Sequence, residues 1–248
     1  MAYMPLNKAP QLLDDSTMPK IYDLSMPWGV DTPLWPFPGA RQDLVFPRGQ
    51  YLGRFHKRTM TYTGTLHAGT HMDAPRHILP DGFGLDKLPA SQFCGRAAVL
   101  DVSHLGTGGI VTADFLQAQN GFLRTADYVL LYTGWEKKWD TPAFLDEPFP
   151  ILDEEAARYL VRCGLKGVGT DAISVDALVN KEFSAHHVLL EGGLVIVENL
   201  CLRKLVGRKD IMFFALPLKF ADADGAPVRA IAEFRDFPEP EEKEMDAQ

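Results

Sequence analysis

The sequence predicts a single domain in which helices mix with short buried strands. Two observations carry this. At 248 residues with 46% hydrophobic content, the chain can bury a substantial core, and no flexible linker interrupts its middle. Short apolar runs at Ala97–Val102, Tyr128–Tyr132 and Leu194–Val197 have the length and composition of buried strands, and two well-punctuated helical stretches lie between them. A third observation marks the functional centre. Three of the seven histidines fall within His67–His77.

Taken in order, residues 1–19 read as an irregular arm, 20–237 as the domain, and 238–248 as a charged tail expected to be disordered. Lys20–Ser25 alternates like a short strand. Met26–Gly39 holds four prolines and two tryptophans and can be neither helix nor central strand. Such loops often bind ligands, so Trp28, Trp35 and Phe37 either line a site or cover the core. Arg58–Leu66 is rich in β-branched and aromatic residues and predicts a strand running into the histidine cluster.

Thr112 is placed to cap a helix through about Gln119 that ends near Gly121, and Gly106–Gly109 reads as a turn with no phosphate-binding context. Asp153 caps a second helix, with Glu154 and Glu155 at its positive end, Ala156, Ala157, Leu160 and Val161 on its apolar face, and Gly164 as its terminator. The run Gly167–Thr170 leads to Asp171, Ser174 and Asp176. The two acids read as capping and loop-fixing groups rather than metal ligands, and Ser174 carries no mark of a nucleophile. His186 and His187 open an apolar segment that turns at Glu191–Gly193 into the strand ending at Glu198. Late strands are expected at Met212–Leu216 and Val228–Ile231, with Pro217, Asp224–Gly225 and Pro227 in the connection.

A net charge of −8 argues against nucleic acid or an anionic membrane surface as the partner. Cys94, Cys163 and Cys201 are odd in number and form no CxxC pair, which suits a reducing compartment and small buried side chains. The first twenty residues lack the apolar core of a signal peptide, and no run reaches membrane-spanning length, so a cytoplasmic protein is expected.

Imidazole and carboxylate are the ligands that Zn²⁺, Mn²⁺ and similar cations take. Pro75 keeps Ala74 extended, so a helix through Asp73 is disfavoured. In an extended run, residues two apart point the same way, which puts His71 and Asp73 on one side, and a turn at Gly69 can bring His67 back to them. Glu198 follows four aliphatic residues, where a carboxylate is costly unless paired or coordinated, and a metal would supply the partner. His56 and His104 have no such company.

The run His67-Ala-Gly-Thr-His71-Met-Asp73-Ala-Pro75-Arg-His77 resembles the HxGTHxDxPxH signature of the metal-dependent cyclase-family hydrolases, which include bacterial kynurenine formamidase and isatin hydrolase. Trp35-Pro36, Gly169–Asp176, Val197–Leu200, Leu216–Lys219 and Asp224–Arg229 extend the resemblance over about residues 20–234. It implies a single-domain α/β fold with a β-rich, swivelling β/β/α-like core, usually a homodimer or higher oligomer. It further implies that His67, His71 and Asp73 hold one divalent ion, Zn or Mn. Asp73 and Glu198 would be shared with a second ion that His186 binds. His77 is the implied proton-transfer residue, and Trp35, with Phe37 close by, the implied substrate contact. Members of the isatin hydrolase type use a single metal, often manganese.

The implied reaction is hydrolysis of a non-peptide amide C–N bond by metal-activated water, with His77 protonating the departing nitrogen. The substrate would be a small aromatic amide, either an aryl formamide such as N-formylkynurenine or a cyclic amide. A metal-assisted lyase or dehydratase is the alternative within enzymes. A non-catalytic binding protein is the alternative outside them, and retention of His77 argues against it.

Overall fold

The computed structural model describes residues 20–29, 31–36, 50–52, 57–59 and 63–235, with 50–52 and 57–59 described in backbone only. The expected arm, the charged tail, Phe37 and His56 lie outside these residues. The strands, in chain order, are β1 (Ile21–Asp23), β2 (Gln50–Leu52), β3 (Lys57–Thr59), β4 (His71–Asp73), β5 (Cys94–Asp101), β6 (Ile110–Val111), β7 (Tyr128–Tyr132), β8 (Ile151–Leu152), β9 (Gly167–Thr170), β10 (Val195–Glu198), β11 (Ile211–Pro217) and β12 (Gly225–Phe234). The helices are α1 (Ala113–Gln117), α2 (Asn120–Leu123), α3 (Ala143–Asp146), α4 (Glu154–Arg162) and α5 (Ser184–Glu191).

One sheet organises the molecule, in the order β1-β12-β11-β5-β7-β9-β10-β4, and β4 pairs again with β12. That last pairing closes seven strands into a barrel, with β1 appended to β12. The four strands from β5 to β10 run parallel, and the rest of the ring is antiparallel.

Strand side chains alternate between faces, and here both faces are buried. Ala97, Val99, Tyr128, Leu130, Val195, Val197 and Met72 fill the barrel with Phe213. Their neighbours Ala98, Leu100, Val129, Leu131, Val168 and Ile196 point outward, under Ala156 and Leu160 of α4 and Ala185 and Leu189 of α5. Covering on both faces explains why these strands read as continuous apolar runs rather than alternating ones. A third cluster of Trp135, Trp139, Phe144, Phe149, Ala172 and Ile173 sits to one side, with Trp35 packed against it.

The capped helices form as expected. Asp153 accepts a hydrogen bond from the Ala156 backbone N–H, Thr112 accepts from that of Phe115, and Gly164 ends α4 at φ +66°. Three expectations are corrected. Helical structure does not stop at Gly121, because α2 resumes at Asn120 and carries Phe122 and Leu123 into the core. The strand expected over Arg58–Leu66 is present only at Lys57–Thr59, with 60–62 outside the described residues, and Leu66–Thr70 bends sharply instead. Pro217 ends β11, and Gly225 and Pro227 belong to β12, rather than to a connection. Pro227 is tolerated because the pairing with β11 stops at Val228, so no neighbour on that side requires its N–H. Among the described residues no helix is long and apolar enough to cross a membrane.

Candidate metal centre

The centre is built on the outer face of the barrel where β4 lies between β10 and β12. His71 stands directly across from Glu198 in the register, and Asp73 across from Ile196 and Gly225. Met72 points into the barrel, so His71 and Asp73 share the opposite face. α5 packs over that face and delivers His186, which is buried, while His187 is exposed. His67 returns to the group through a bend at Gly69, whose φ of +60° and closeness to Trp28 leave no room for a side chain. Gly225 does a similar service, since a Cβ there would lie 2.5 Å from the His67 ring.

Four of the contacts divide between two positions. His71 Nε2 is 3.3 Å from Asp73 Oδ1 and 3.4 Å from Glu198 Oε2. His186 Nε2 is 3.6 Å from Asp73 Oδ2 and 3.4 Å from Glu198 Oε1. Asp73 and Glu198 therefore span the gap between the two imidazoles. His67 Nδ1 lies 2.6 Å from Asp73 Oδ1 on the His71 side, and its Nε2 lies 3.1 Å from Asp224 Oδ2. His77 stacks on His67 with ring centroids 4.0 Å apart, and its Nδ1 is 3.6 Å from Asp224.

Several contacts hold these rings in place. His71 Nδ1 meets the Gly69 carbonyl at 2.8 Å, and that carbonyl also accepts from Asn199 Nδ2. The Thr70 hydroxyl donates to the Asn199 carbonyl, fixing the histidine loop to the end of β10. His186 Nδ1 meets Asp176 Oδ2 at 2.8 Å, and Asp176 also accepts the backbone N–H groups of Ala185 and His186 at the start of α5. Such partners are what fix the tautomer of a metal-binding histidine.

The residues fit a cation. With Nδ1 of His71 and of His186 each engaged by an acceptor, Nε2 of both turns a lone pair toward carboxylate oxygens. Lone pairs facing carboxylates need a proton or a cation between them. Glu198 Oε1 is buried with no hydrogen-bond partner. Two overlapping groups, His67–Asp73–His77 and His71–Asp73–Glu198, have ligand atoms close enough to hold an ion.

The electrostatics agree. Burial disfavours a charged His67, yet Asp73 and Asp224 push it up to about 10. His186 is likewise buried, and Asp176, Asp73 and Glu198 hold it well above the usual range. Burial would raise Asp73, but His67 and His71 hold it well below the usual carboxylate range. Carboxylates that draw protons onto imidazoles this strongly would also draw in a cation.

A cavity of about 320 Å³ opens onto the cluster, lined by His67, His71, Asp73, His77, His186 and Glu198 on one side. Trp35, Thr65, Ile78, Ile173, Ser174 and Phe183 form the rest of the wall. Trp35 both lines the cavity and covers the third apolar cluster, so the two roles weighed for it coincide. Phe183 faces it at 5.7 Å between ring centroids and meets His186 edge-on at 5.6 Å. Among the expected site residues, His67, His71, Asp73, His77, His186, Glu198 and Trp35 all meet here. Asp224, Gly225 and Phe183 were not singled out by sequence. Asp224-Gly225 reads locally as an ordinary turn, and the one further signal was its place in the family-like run Asp224–Arg229.

Barrel, cavity and imidazole–carboxylate cluster together make a site able to hold a divalent cation beside an open pocket. The Cyclase family model matches residues 22–177, more than half of the chain, which therefore belongs to the cyclase family. A kynurenine formamidase from Bacillus mycoides (strain KBAB4) is 33% identical over 209 residues, covering 84% of this chain and 95% of that one. The crystal structure of an isatin hydrolase bound to the product analogue thioisatinate superposes with a TM-score of 0.78 at 25% identity, covering 86% and 91% of the two chains. A predicted metal-dependent hydrolase from Bacillus stearothermophilus superposes with a TM-score of 0.68 at 26% identity, covering 86% and 97%.

Proposed function

We propose that the protein hydrolyses the C–N bond of a small aromatic amide, an aryl formamide such as N-formylkynurenine or a cyclic amide, with the help of two divalent cations, Zn or Mn. The observation that carries the two-ion reading is the sharing of Asp73 and Glu198 between the His71 and His186 sides of the cluster. His67, His71, Asp73 and Glu198 would hold one ion, and His186, Asp73 and Glu198 the other. A divalent cation in such a site lowers the pKa of water from about 15.7 toward about 7 and polarises a carbonyl oxygen.

The chain's own residues supply the rest. Trp35 and Phe183, in contact with each other, give the cavity an aromatic wall on which a substrate ring can pack. His77 stands at the same mouth, outside the direct contacts to Glu198, with its Nδ1 3.6 Å from Asp224 and its ring stacked on His67. It delivers a proton to the departing nitrogen, a poor leaving group without one. Asp224, held well below the usual range by its hydrogen bonds to His67 and His77, stays ionised beside it.

The test is metal stoichiometry, measured by plasma mass spectrometry on protein purified without added ions, together with turnover of an aryl formamide. Two ions per chain are expected, with activity lost on exhaustive chelation and restored by Zn²⁺ or Mn²⁺. One ion per chain with full ring-opening activity would favour the single-ion reading of the isatin hydrolase type. In the same assay His77→Ala should keep its metal while turnover falls on the order of 10²–10⁴-fold. A near-full-rate variant, or one stripped of metal, would give His77 a different role.

A further inference from the structure

We propose that Ser174 reads the substrate, donating a hydrogen bond to a second acceptor carried beside the scissile amide. This rests on the amide-hydrolase reading and assigns the side chain that recognises such an acceptor.

Ser174 lines the cavity in a wall otherwise made of Trp35, Ile78, Ile173 and Phe183, apart from Thr65. It is 2% exposed. Its Oγ accepts the backbone N–H of Asp176 at 3.1 Å, which uses the oxygen and leaves the hydroxyl proton to be placed elsewhere. Among the described residues that proton has no acceptor. Thr65 accepts the His67 N–H in the same i to i+2 manner, but it is only half-buried, so bulk water can take its proton. Burial therefore separates two otherwise similar hydroxyls.

The position of Ser174 is rigid. It lies two residues before Asp176, which is tied to α5 by three hydrogen bonds. A ligand that filled the cavity with only apolar atoms would leave a buried donor unmatched, which costs binding. A ligand with an oxygen at that point would not.

Calorimetric binding to the metal-loaded full-length protein tests this, with 2-aminoacetophenone and its near-isosteric apolar counterpart 2-isopropylaniline as probes. The wild type should bind the ketone on the order of tenfold more tightly, the worth of one neutral hydrogen bond. Ser174→Ala should remove most of that preference. Ser174→Cys, which keeps a side chain at the Asp176 N–H but donates weakly, should lose it similarly and serves if the alanine variant fails to fold. Equal binding of the two probes by the wild type, or a preference undiminished in both variants, would overturn the proposal.

Kinetics give a parallel readout. The kcat/KM ratio of 2′-formamidoacetophenone to formanilide should fall about tenfold in the variants. If neither formamide is hydrolysed while the binding preference still depends on Ser174, the serine keeps its role and the amide-hydrolase reading is the one that fails.

Discussion

Asp171 and Asp176 are as deeply buried as Asp73 and Glu198, at 0%, 1%, 1% and 4% exposure, yet the two pairs do opposite things. Asp171 accepts from the Thr133 backbone N–H at 2.7 Å, the Thr133 hydroxyl at 2.6 Å and the Glu136 N–H at 3.3 Å. Asp176 accepts two backbone N–H groups, the Asn180 amide and the His186 ring. The chain saturates these carboxylates with its own fixed donors. Asp73 and Glu198 face imidazoles instead, and one Glu198 oxygen has no hydrogen bond. Burial does not mark a ligand site. What marks it is which donors the fold brings to the carboxylate.

The comparison can be broken most sharply at Asp73. Asp73→Asn removes a carboxylate that reaches both the His71 and the His186 side of the cluster, so metal affinity should fall by more than about 100-fold, beyond the usual worth of an outer partner. Activity should fall to background with it. Retained metal, measured by plasma mass spectrometry, would place the ions elsewhere.

Asp176→Asn asks whether a saturated carboxylate can still matter to the metal through the ring it holds. Loss of the His186 Nδ1 contact should weaken binding of one ion by roughly 10–100-fold while the fold persists. Competition with a chromophoric chelator measures it. Unchanged affinity would reduce Asp176 to a helix cap.

Asp171→Asn should leave metal content alone and alter only stability. Burial pushes the Asp171 carboxyl up to about 6 from 3.8, against the hydrogen bonds from Thr133 and Glu136. The folded state then holds a proton that the unfolded state has released, so this group's contribution favours folding below about pH 4 and is lost as pH rises toward 6. Two pH units correspond to about 3 kcal/mol at most. Relative to wild type, Asp171→Asn should therefore gain on the order of 2 kcal/mol between pH 4 and pH 7, read from urea midpoints. No relative shift would mean that the N–H donors fully offset burial.

That the histidine stretch comes together was legible because its geometry is local. Two-residue spacing puts His71 and Asp73 on one face whatever the rest of the chain does, and Gly69 advertises the bend that returns His67. Strand type was legible at β7 and β10 because burial on both faces leaves continuous apolar runs. Ring closure was not, since the pairing of β4 with both β10 and β12 depends on contacts distant in sequence. Gly225 looked like turn chemistry because the reason for a missing Cβ there, the His67 ring, comes from a remote segment. Residues 64–66 continue a run of strand composition, and there the chain leaves strand geometry for the bends of the histidine loop.

The closing strand is only three residues long, and two of those three belong to the metal cluster. Its partners on β10 and β12 lie well over a hundred positions along the chain, so the ring gains its last hydrogen bonds only after a costly loop closure. In the unfolded chain the cluster does not exist. A cation that binds only the closed ring therefore shifts folding by mass action, in proportion to the logarithm of its free concentration. With a cation in the proposed cluster, the seam of the barrel and its chemistry become thermodynamically one object, and a shortage of metal is expected to be felt first as an opening of that seam.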